Sequence, residues 1–149
     1  MKTTGLDVLC IDDDDCHVKM LRQAAAKDSR PLNLQSVSTG DEALSYLRVS
    51  GQRPDIILLD YDMPGRDGLS VLREIKADTR LKAIPVLMLS GAGEARLIRS
   101  AYECGANMFF VKPSTLEKYT ELVALFITLW GFLAELPGAE VPQPDNVVR

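Results

Sequence analysis

Apolar runs of strand length alternate with helical patterns along the chain, and that alternation predicts a parallel sheet covered by helices on both faces. Five such runs occur: Leu6 to Ile11, Leu34 to Val37, Ile56 to Leu59, Val86 to Leu89 and Met108 to Val111. Three of them contain Val8-Leu9-Cys10-Ile11, Ile56-Ile57-Leu58-Leu59 and Val86-Leu87-Met88-Leu89, continuously apolar rather than alternating. Strands buried on both faces read this way, so the first, third and fourth are predicted at the sheet centre. Between the runs, Val18, Leu21 and Ala25 share one helical face, as do Leu44 and Leu47, then Leu69, Leu72 and Ile75, then Ala95, Ile98 and Ala101. The layout is βα repeated five times, with turn signals at Gly40-Asp41, Gly51 to Pro54, Met63-Pro64-Gly65, Ile84-Pro85 and Gly105.

The last helical pattern is the long one. From Thr115 to Leu136 it covers 22 residues, about 33 Å if helical throughout at about 1.5 Å per residue, which exceeds what covering a small sheet requires. Leu116, Tyr119, Val123 and Phe126 form one apolar stripe, and Leu122, Leu125, Leu129, Trp130, Phe132 and Leu133 widen it until the second half is apolar nearly all round. One face is expected to pack on the domain and the other to pair with a second copy, a homodimer, because two-fold pairing of identical patches is the commonest way to bury them. The alternative is a helix that breaks near Gly131 and folds its end back over the same domain. Pro137, Gly138, Pro142 and Pro144 follow with little to bury. Residues 1–136 are therefore expected to form the domain, and 137–149 a flexible tail.

Composition narrows the function classes. A chain of 149 residues has the size of a single domain, and 46% hydrophobic with 26% charged residues matches an ordinary globular protein. Seventeen Lys and Arg against 21 Asp and Glu leave a net charge of −4, the wrong sign for generic attraction to a phosphate backbone, so direct nucleic-acid binding is not expected. Cys10, Cys16 and Cys104 lack the paired spacing of a zinc site or a disulfide framework and suit a reducing cytoplasm. The one histidine, His17, excludes multi-histidine metal sites. No signal peptide opens the sequence, and Leu122 to Ala134 falls well short of the roughly 20 apolar residues that span a bilayer. No membrane insertion is expected.

In a doubly wound sheet, ligands bind beyond the carboxyl ends of the strands at a topological switch point. Here the first strand ends in Asp12-Asp13, the third in Asp60, the fourth in Ser90 and the fifth in Lys112-Pro113. One edge thus gathers three carboxylates, a hydroxyl and an ammonium. Carboxylates held close together repel, and the arrangement is tolerable only if some protonate or a cation binds among them. Hard oxygen ligands with room for water suit Mg²⁺. Each residue alone has a plainer reading: Asp14 and Asp15 as helix-start residues with Asp15 the N-cap, a serine after a strand as a cap, Lys-Pro as a turn. Joint placement at four strand ends is what points to chemistry.

Read in order, Val8-Leu9-Cys10-Ile11-Asp12-Asp13, Asp55-Ile56-Ile57-Leu58-Leu59-Asp60-Tyr61-Asp62-Met63-Pro64, Asp67-Gly68, Pro85-Val86-Leu87-Met88-Leu89-Ser90, Gly105-Ala106 and Val111-Lys112-Pro113 resemble the receiver domains of two-component response regulators of the chemotaxis-regulator type. The resemblance covers roughly Leu6 to Trp130. It implies a flavodoxin-like (βα)5 fold with a doubly wound five-stranded parallel sheet in the order 2-1-3-4-5, here with an extended last helix. The ending from Trp130 to Pro137 also resembles stand-alone regulators paired with bacterial phytochromes, which dimerise through this region.

The receiver resemblance implies a role for each edge residue. Asp60 is the phosphoacceptor, taking a phosphoryl group from a histidine kinase, a phosphotransfer protein or a small phosphodonor. Asp13 and Asp60 ligate Mg²⁺ directly, Asp12 acts largely through water, and the backbone carbonyl of Asp62 completes the protein's share. Lys112 pairs with one phosphoryl oxygen and the Ser90 hydroxyl donates to another, with Gly91 leaving access. The Lys112-Pro113 peptide is expected to be cis. Ser90 and Phe109 form the switch that alters the surface made by the fourth helix, fifth strand and fifth helix for partner binding. The plain alternative for Phe109 is a strand residue packed beneath the last helix. Asp62 and Ala92 sit where the family tunes dephosphorylation, a phosphohistidine role is not expected of His17 at the start of the first helix, and Cys16 reads as structural. The chain is thus expected to be a cytoplasmic signalling protein whose chemistry is limited to its own phosphorylation and dephosphorylation.

Two other functions fit parts of the pattern. Asp60-Tyr61-Asp62 after an apolar strand resembles the nucleophile motif of haloacid-dehalogenase-type phosphatases, but those place their paired acids after the lysine, and here Asp12-Asp13 come first. A degenerate receiver acting only as a binding module would lack part of the acidic, hydroxyl and lysine set, which is complete.

Overall fold

Every predicted apolar run becomes a strand, and every strand but the last is followed by one α-helix before the next begins. The computed structural model describes residues 5–49 and 53–137. In chain order the elements are β1 (Leu6–Ile11), α1 (Asp15–Lys27), β2 (Leu32–Val37), α2 (Gly40–Arg48), β3 (Ile56–Asp60), α3 (Gly68–Ala77), β4 (Val86–Ser90), α4 (Ala95–Glu103), β5 (Met108–Val111) and α5 (Leu116–Phe126), then a π-helical segment, Ile127–Leu133. The strands are all parallel in the order β2-β1-β3-β4-β5. β3 and β4 are buried at every position, as continuous apolar strands require. β2, on the edge, alternates and begins two residues before its predicted start.

Period two sends alternate residues to opposite faces. Leu9, Ile11, Ile57, Leu59 and Met88 meet Leu44, Leu47, Val71, Leu72 and Ile75 of α2 and α3, with Ala101 of α4. Val8, Cys10, Ile56, Leu58, Leu87 and Leu89 meet Leu21 and Ala24 of α1 and Tyr119, Leu122, Val123 and Phe126 of α5. Side-chain oxygens of Asp14, Thr39, Asp67 and Thr115 cap four of the helices by accepting from Cys16, Glu42, Ser70 and Lys118 N–H groups. α4 has no side-chain cap and buries only Ala101. Asp14, not Asp15, caps α1: the chain turns one residue earlier because the Asp14 N–H is held at 2.8 Å by Asp12, which leaves Asp15 as the first helical residue.

The expected single helix from Thr115 to Leu136 is instead two windings. α5 ends at Phe126, and the π-helical turns close with the Ala134 N–H donating to the Leu129 carbonyl. The change of winding coincides with Arg30, anchored on Asp28, whose guanidinium reaches the Thr128 hydroxyl at 2.6 Å and the Ala124 carbonyl at 3.2 Å and lies over the Phe132 ring. A carbonyl engaged from outside the helix competes with the regular i−4 ladder, and π-bulges arise at such points. Ile127 and Trp130 pack on the α1–α5 side of the core and Leu136 joins them, so the end does return over its own domain. Leu125, Leu129, Phe132 and Leu133 remain exposed. Beyond Pro137, the predicted tail lies outside the described residues. Among the described residues no helix is long and apolar enough to cross a membrane.

Candidate functional site

The parallel order places the carboxyl ends of β1, β3, β4 and β5 side by side; β1 delivers Asp12 and Asp13, and the others Asp60, Ser90 and Lys112. Asp12 and Asp60 are buried, Asp13 is exposed, and oxygens of all three lie within 4.8 Å of one another. The Lys112 ammonium sits 3.3 Å from Asp12 and 3.1 Å from Asp60, with little exposure on any of the three. Gly68 permits this packing: a Cβ there would lie 2.5 Å from the Asp60 carbonyl oxygen, so only glycine lets α3 begin hard against the end of β3.

The electrostatics follow from that burial. Desolvation first, and the Asp12 charge second, push the Asp60 acid up to about 7, against the pull of Lys112. Burial presses on the Lys112 ammonium, but Asp12 and Asp60 outweigh it and hold its proton more firmly than usual. Cys10, beneath the carboxylates, is pushed up to about 12 by burial and then by Asp12, so its thiol is inert. The surplus of negative charge at this edge, its all-oxygen donor set and the reluctance of Asp60 to ionise without help fit a hard divalent cation.

Asp12, Asp13, Asp60 and Lys112 are thus brought together as expected, while Ser90 is oriented otherwise. Its hydroxyl, on a residue 1% exposed, donates to the Asp62 carboxylate at 3.1 Å and accepts from the Ala92 N–H at 3.3 Å. The same Asp62 oxygen accepts from the Gly91 N–H at 3.3 Å, and the Asp62 N–H donates to Asp60 at 3.1 Å. The sequence singled out Asp62 for its backbone carbonyl and as a position that tunes dephosphorylation, but did not reveal that its side chain accepts from Ser90 and Gly91. A Cβ on Gly91 would have open space around it.

Phe109 is half-buried against the α2–α3–α4 side, and its N–H donates to the Tyr102 hydroxyl of α4 at 3.2 Å. It is Phe110 that packs beneath α5, edge-on to Phe126 with centroids 5.3 Å apart. Phe109 lacks a hydroxyl, yet Tyr102 places one at the same edge. His17, for which no phosphohistidine role is expected, hydrogen-bonds through Nδ1 to the buried Tyr119 hydroxyl, and its Nε2 lies 3.4 Å from Asp14. The Lys112-Pro113 peptide is trans rather than cis, as are all peptide bonds among the described residues.

Comparison with known proteins agrees with this geometry. The sequence pattern of the family described as Response regulator receiver domain matches residues 8–124. The probable methanogenesis regulatory protein FilR2 of Methanothrix harundinacea is 31% identical over 88% of this chain and 87% of its own length. The crystal structure of the phosphorylated cyanobacterial phytochrome response regulator RcpA superposes with a TM-score of 0.83 at 32% identity, covering 90% of this chain and 99% of that one. The Mn²⁺-bound form of the response regulator Rcp1 gives 0.78 at 26% identity, over 88% and 98%.

Proposed function

The chain belongs to the response regulator receiver family, and from that premise we propose that it accepts a phosphoryl group on Asp60 from the phosphohistidine of a histidine kinase or phosphotransfer protein, with Mg²⁺ as its metal. The observation that carries this is the Asp60 carboxylate, 3% exposed at the end of a central strand and paired with Lys112, whose ammonium also holds Asp12. Lys112 and the Asp62 N–H fix one Asp60 oxygen. The other forms the new P–O bond as the P–N bond to the donor imidazole breaks, and the electron pair leaves with the imidazole. Lys112 then offers its ammonium to a phosphoryl oxygen, and Ser90 its hydroxyl to a second. Asp13 and Asp60 would hold the metal, with Asp12 through water and the Asp62 carbonyl; when bound, Mg²⁺ neutralises charge on the transferring group. The family match favours this reading over the phosphatase, because the acids precede the lysine. Cytoplasmic partners on the α4–β5–α5 face complete it.

Intact-mass measurement after incubation with Mg²⁺ and acetyl phosphate tests the reading. One phosphoryl adduct is expected on the wild type and none on Asp60→Asn or with a chelator present. An adduct that survives the substitution removes Asp60 from its role.

The homodimer belongs to the same proposal. Leu125, Leu129 and Leu133 follow one another at intervals of four along α5 and the π-helical segment and are 62%, 37% and 72% exposed, with Phe132 beside them at 47%. A second copy of this stripe is its proposed occupant, since pairing of identical apolar patches about a two-fold axis is the commonest way to bury them. Phe126, on the first apolar stripe of the helix, belongs to the core at 2% exposed and stands outside this interface.

A further inference from the structure

We propose that the Asp62 carboxylate is a resting latch on the switch: it occupies the donors that the phosphoryl group must take, and activation requires its displacement. The inference rests on the phosphoacceptor reading of Asp60 and adds a positioning residue to it. Asp62 stands two residues beyond Asp60, and its N–H bond to the Asp60 carboxylate, 3.1 Å, fixes the loop after β3 so that the side chain crosses to the loop after β4. There a single oxygen accepts from both the Ser90 hydroxyl, 3.1 Å, and the Gly91 N–H, 3.3 Å.

Ser90 is 1% exposed, so without an acceptor its hydroxyl donor would be buried and unsatisfied. In the resting protein Asp62 supplies the acceptor. A phosphoryl group on Asp60 brings three strong acceptor oxygens and about two negative charges to the same edge. Those oxygens can replace the Asp62 oxygen at Ser90, and their charge repels the Asp62 carboxylate from the space it occupied. The two ligands are therefore mutually exclusive, and the strength of the Ser90–Asp62 bond sets how far the equilibrium lies toward rest. Hydrogen bonds to a charged group are the stronger kind, so Asp62 is a more tenacious latch than a neutral side chain.

The test uses beryllofluoride, a phosphoryl mimic, titrated with saturating Mg²⁺ onto the full chain. Asp62→Ala is expected to bind it about tenfold more tightly than wild type, and Asp62→Asn, which keeps an acceptor oxygen but loses the charge, by an intermediate factor. Removing a nearby negative charge would also tighten anion binding, and the Ser90→Ala background separates the two causes. There the latch holds only the Gly91 N–H, so Asp62→Ala should gain at most about twofold, whereas a purely electrostatic effect persists in full. The Gly91 amide resonance gives a second readout: it should shift in Asp62→Asn without beryllofluoride, and an unmoved resonance counts against the latch. An unchanged affinity in Asp62→Ala, or a gain that survives Ser90→Ala, overturns the latch and leaves the phosphoacceptor reading intact. Beryllofluoride binding that Asp60→Asn does not abolish overturns both.

Discussion

Replacing Asp60 with asparagine should stabilise the metal-free protein at neutral and higher pH while leaving its stability in acid nearly unchanged. The cause is the burial of Asp60 beside Asp12, which carries its acid from 3.8 to about 7 despite the ammonium of Lys112 at 3.1 Å. A carboxyl whose folded pKa is raised keeps its proton in the native chain where the unfolded chain has already lost it. Stability from this group is therefore fully present below the unfolded value and is lost as pH rises through the folded one, between about pH 4 and pH 7. The interval from 3.8 to about 7, at about 1.4 kcal/mol per pH unit, amounts to about 4 kcal/mol by about pH 8. Asparagine has the shape of the protonated acid, and Lys112 keeps Asp12 at 3.3 Å, so the variant does not strand a buried ammonium.

Urea denaturation with a chelator, from about pH 4 to pH 8, should accordingly show the variant gaining on wild type by roughly 2–4 kcal/mol across the range. Mg²⁺ should narrow that lead, since wild type gains about 2.7 kcal/mol at a hundredfold excess over its Kd and the variant has lost a ligand. A stability difference that stays flat across the range, or a variant weaker than wild type at the alkaline end, would refute the reasoning.

Asp13→Ala should weaken Mg²⁺ binding at least tenfold by calorimetric titration, while Asp14→Ala, which removes the observed cap, should cost about 1 kcal/mol of stability and leave Mg²⁺ affinity nearly intact. Equal losses of affinity would overturn that division of labour. Leu129→Glu combined with Leu133→Glu should convert a wild-type dimer to a folded monomer in sedimentation at micromolar concentration, and the wild-type mass should be the same with and without beryllofluoride. A monomeric wild type sinks the interface.

Much of the fold was legible because its signals are local. A central parallel strand needs a continuous apolar run, and β1, β3 and β4 contain one, so position, order and burial followed together. The placement of Asp12, Asp13, Asp60 and Lys112 was equally legible, because a strand end fixes where the next side chain projects. What escaped depends on contacts between distant segments. The π-helical winding involves Arg30, 94 and 98 residues from Ala124 and Thr128 in sequence, and nothing in the apolar pattern of α5 records that partner. The crossing of Asp62 to Ser90 joins the loop after β3 to the end of β4, 28 residues apart, and the two meet only because β3 and β4 are neighbours. Phe109 and Phe110 had to face opposite sides of the sheet, yet period two alone does not say which side either one takes. The cap of α1 moved by one residue because Asp12, itself a site residue, engages the Asp14 N–H.

The same geometry divides the molecule into an element free to move and one held in place. α4 lacks a side-chain cap, buries a single residue and is tied to β5 by the bond from Phe109 to Tyr102, so little packing opposes its displacement when Ser90 changes partner. α5 is fastened along its length: Tyr119 to His17 near the acidic edge, Val123 and Phe126 in the core, and Arg30 on Ala124, Thr128 and Phe132 beyond. Because α5 runs back along the sheet, its far end lies over the start of β1, where a Cβ added to Gly131 would lie 3.9 Å from the Leu6 Cβ, and the exposed leucine stripe extends toward that end, away from Asp60. A dimer built there rests on the clamped element and leaves Tyr102 and Val111, both exposed, available to a partner on the α4–β5 side. Phosphorylation acting through Ser90 would then change what the α4–β5 surface offers without altering the pairing of the two copies, which is why the mass of the assembly is expected to ignore beryllofluoride.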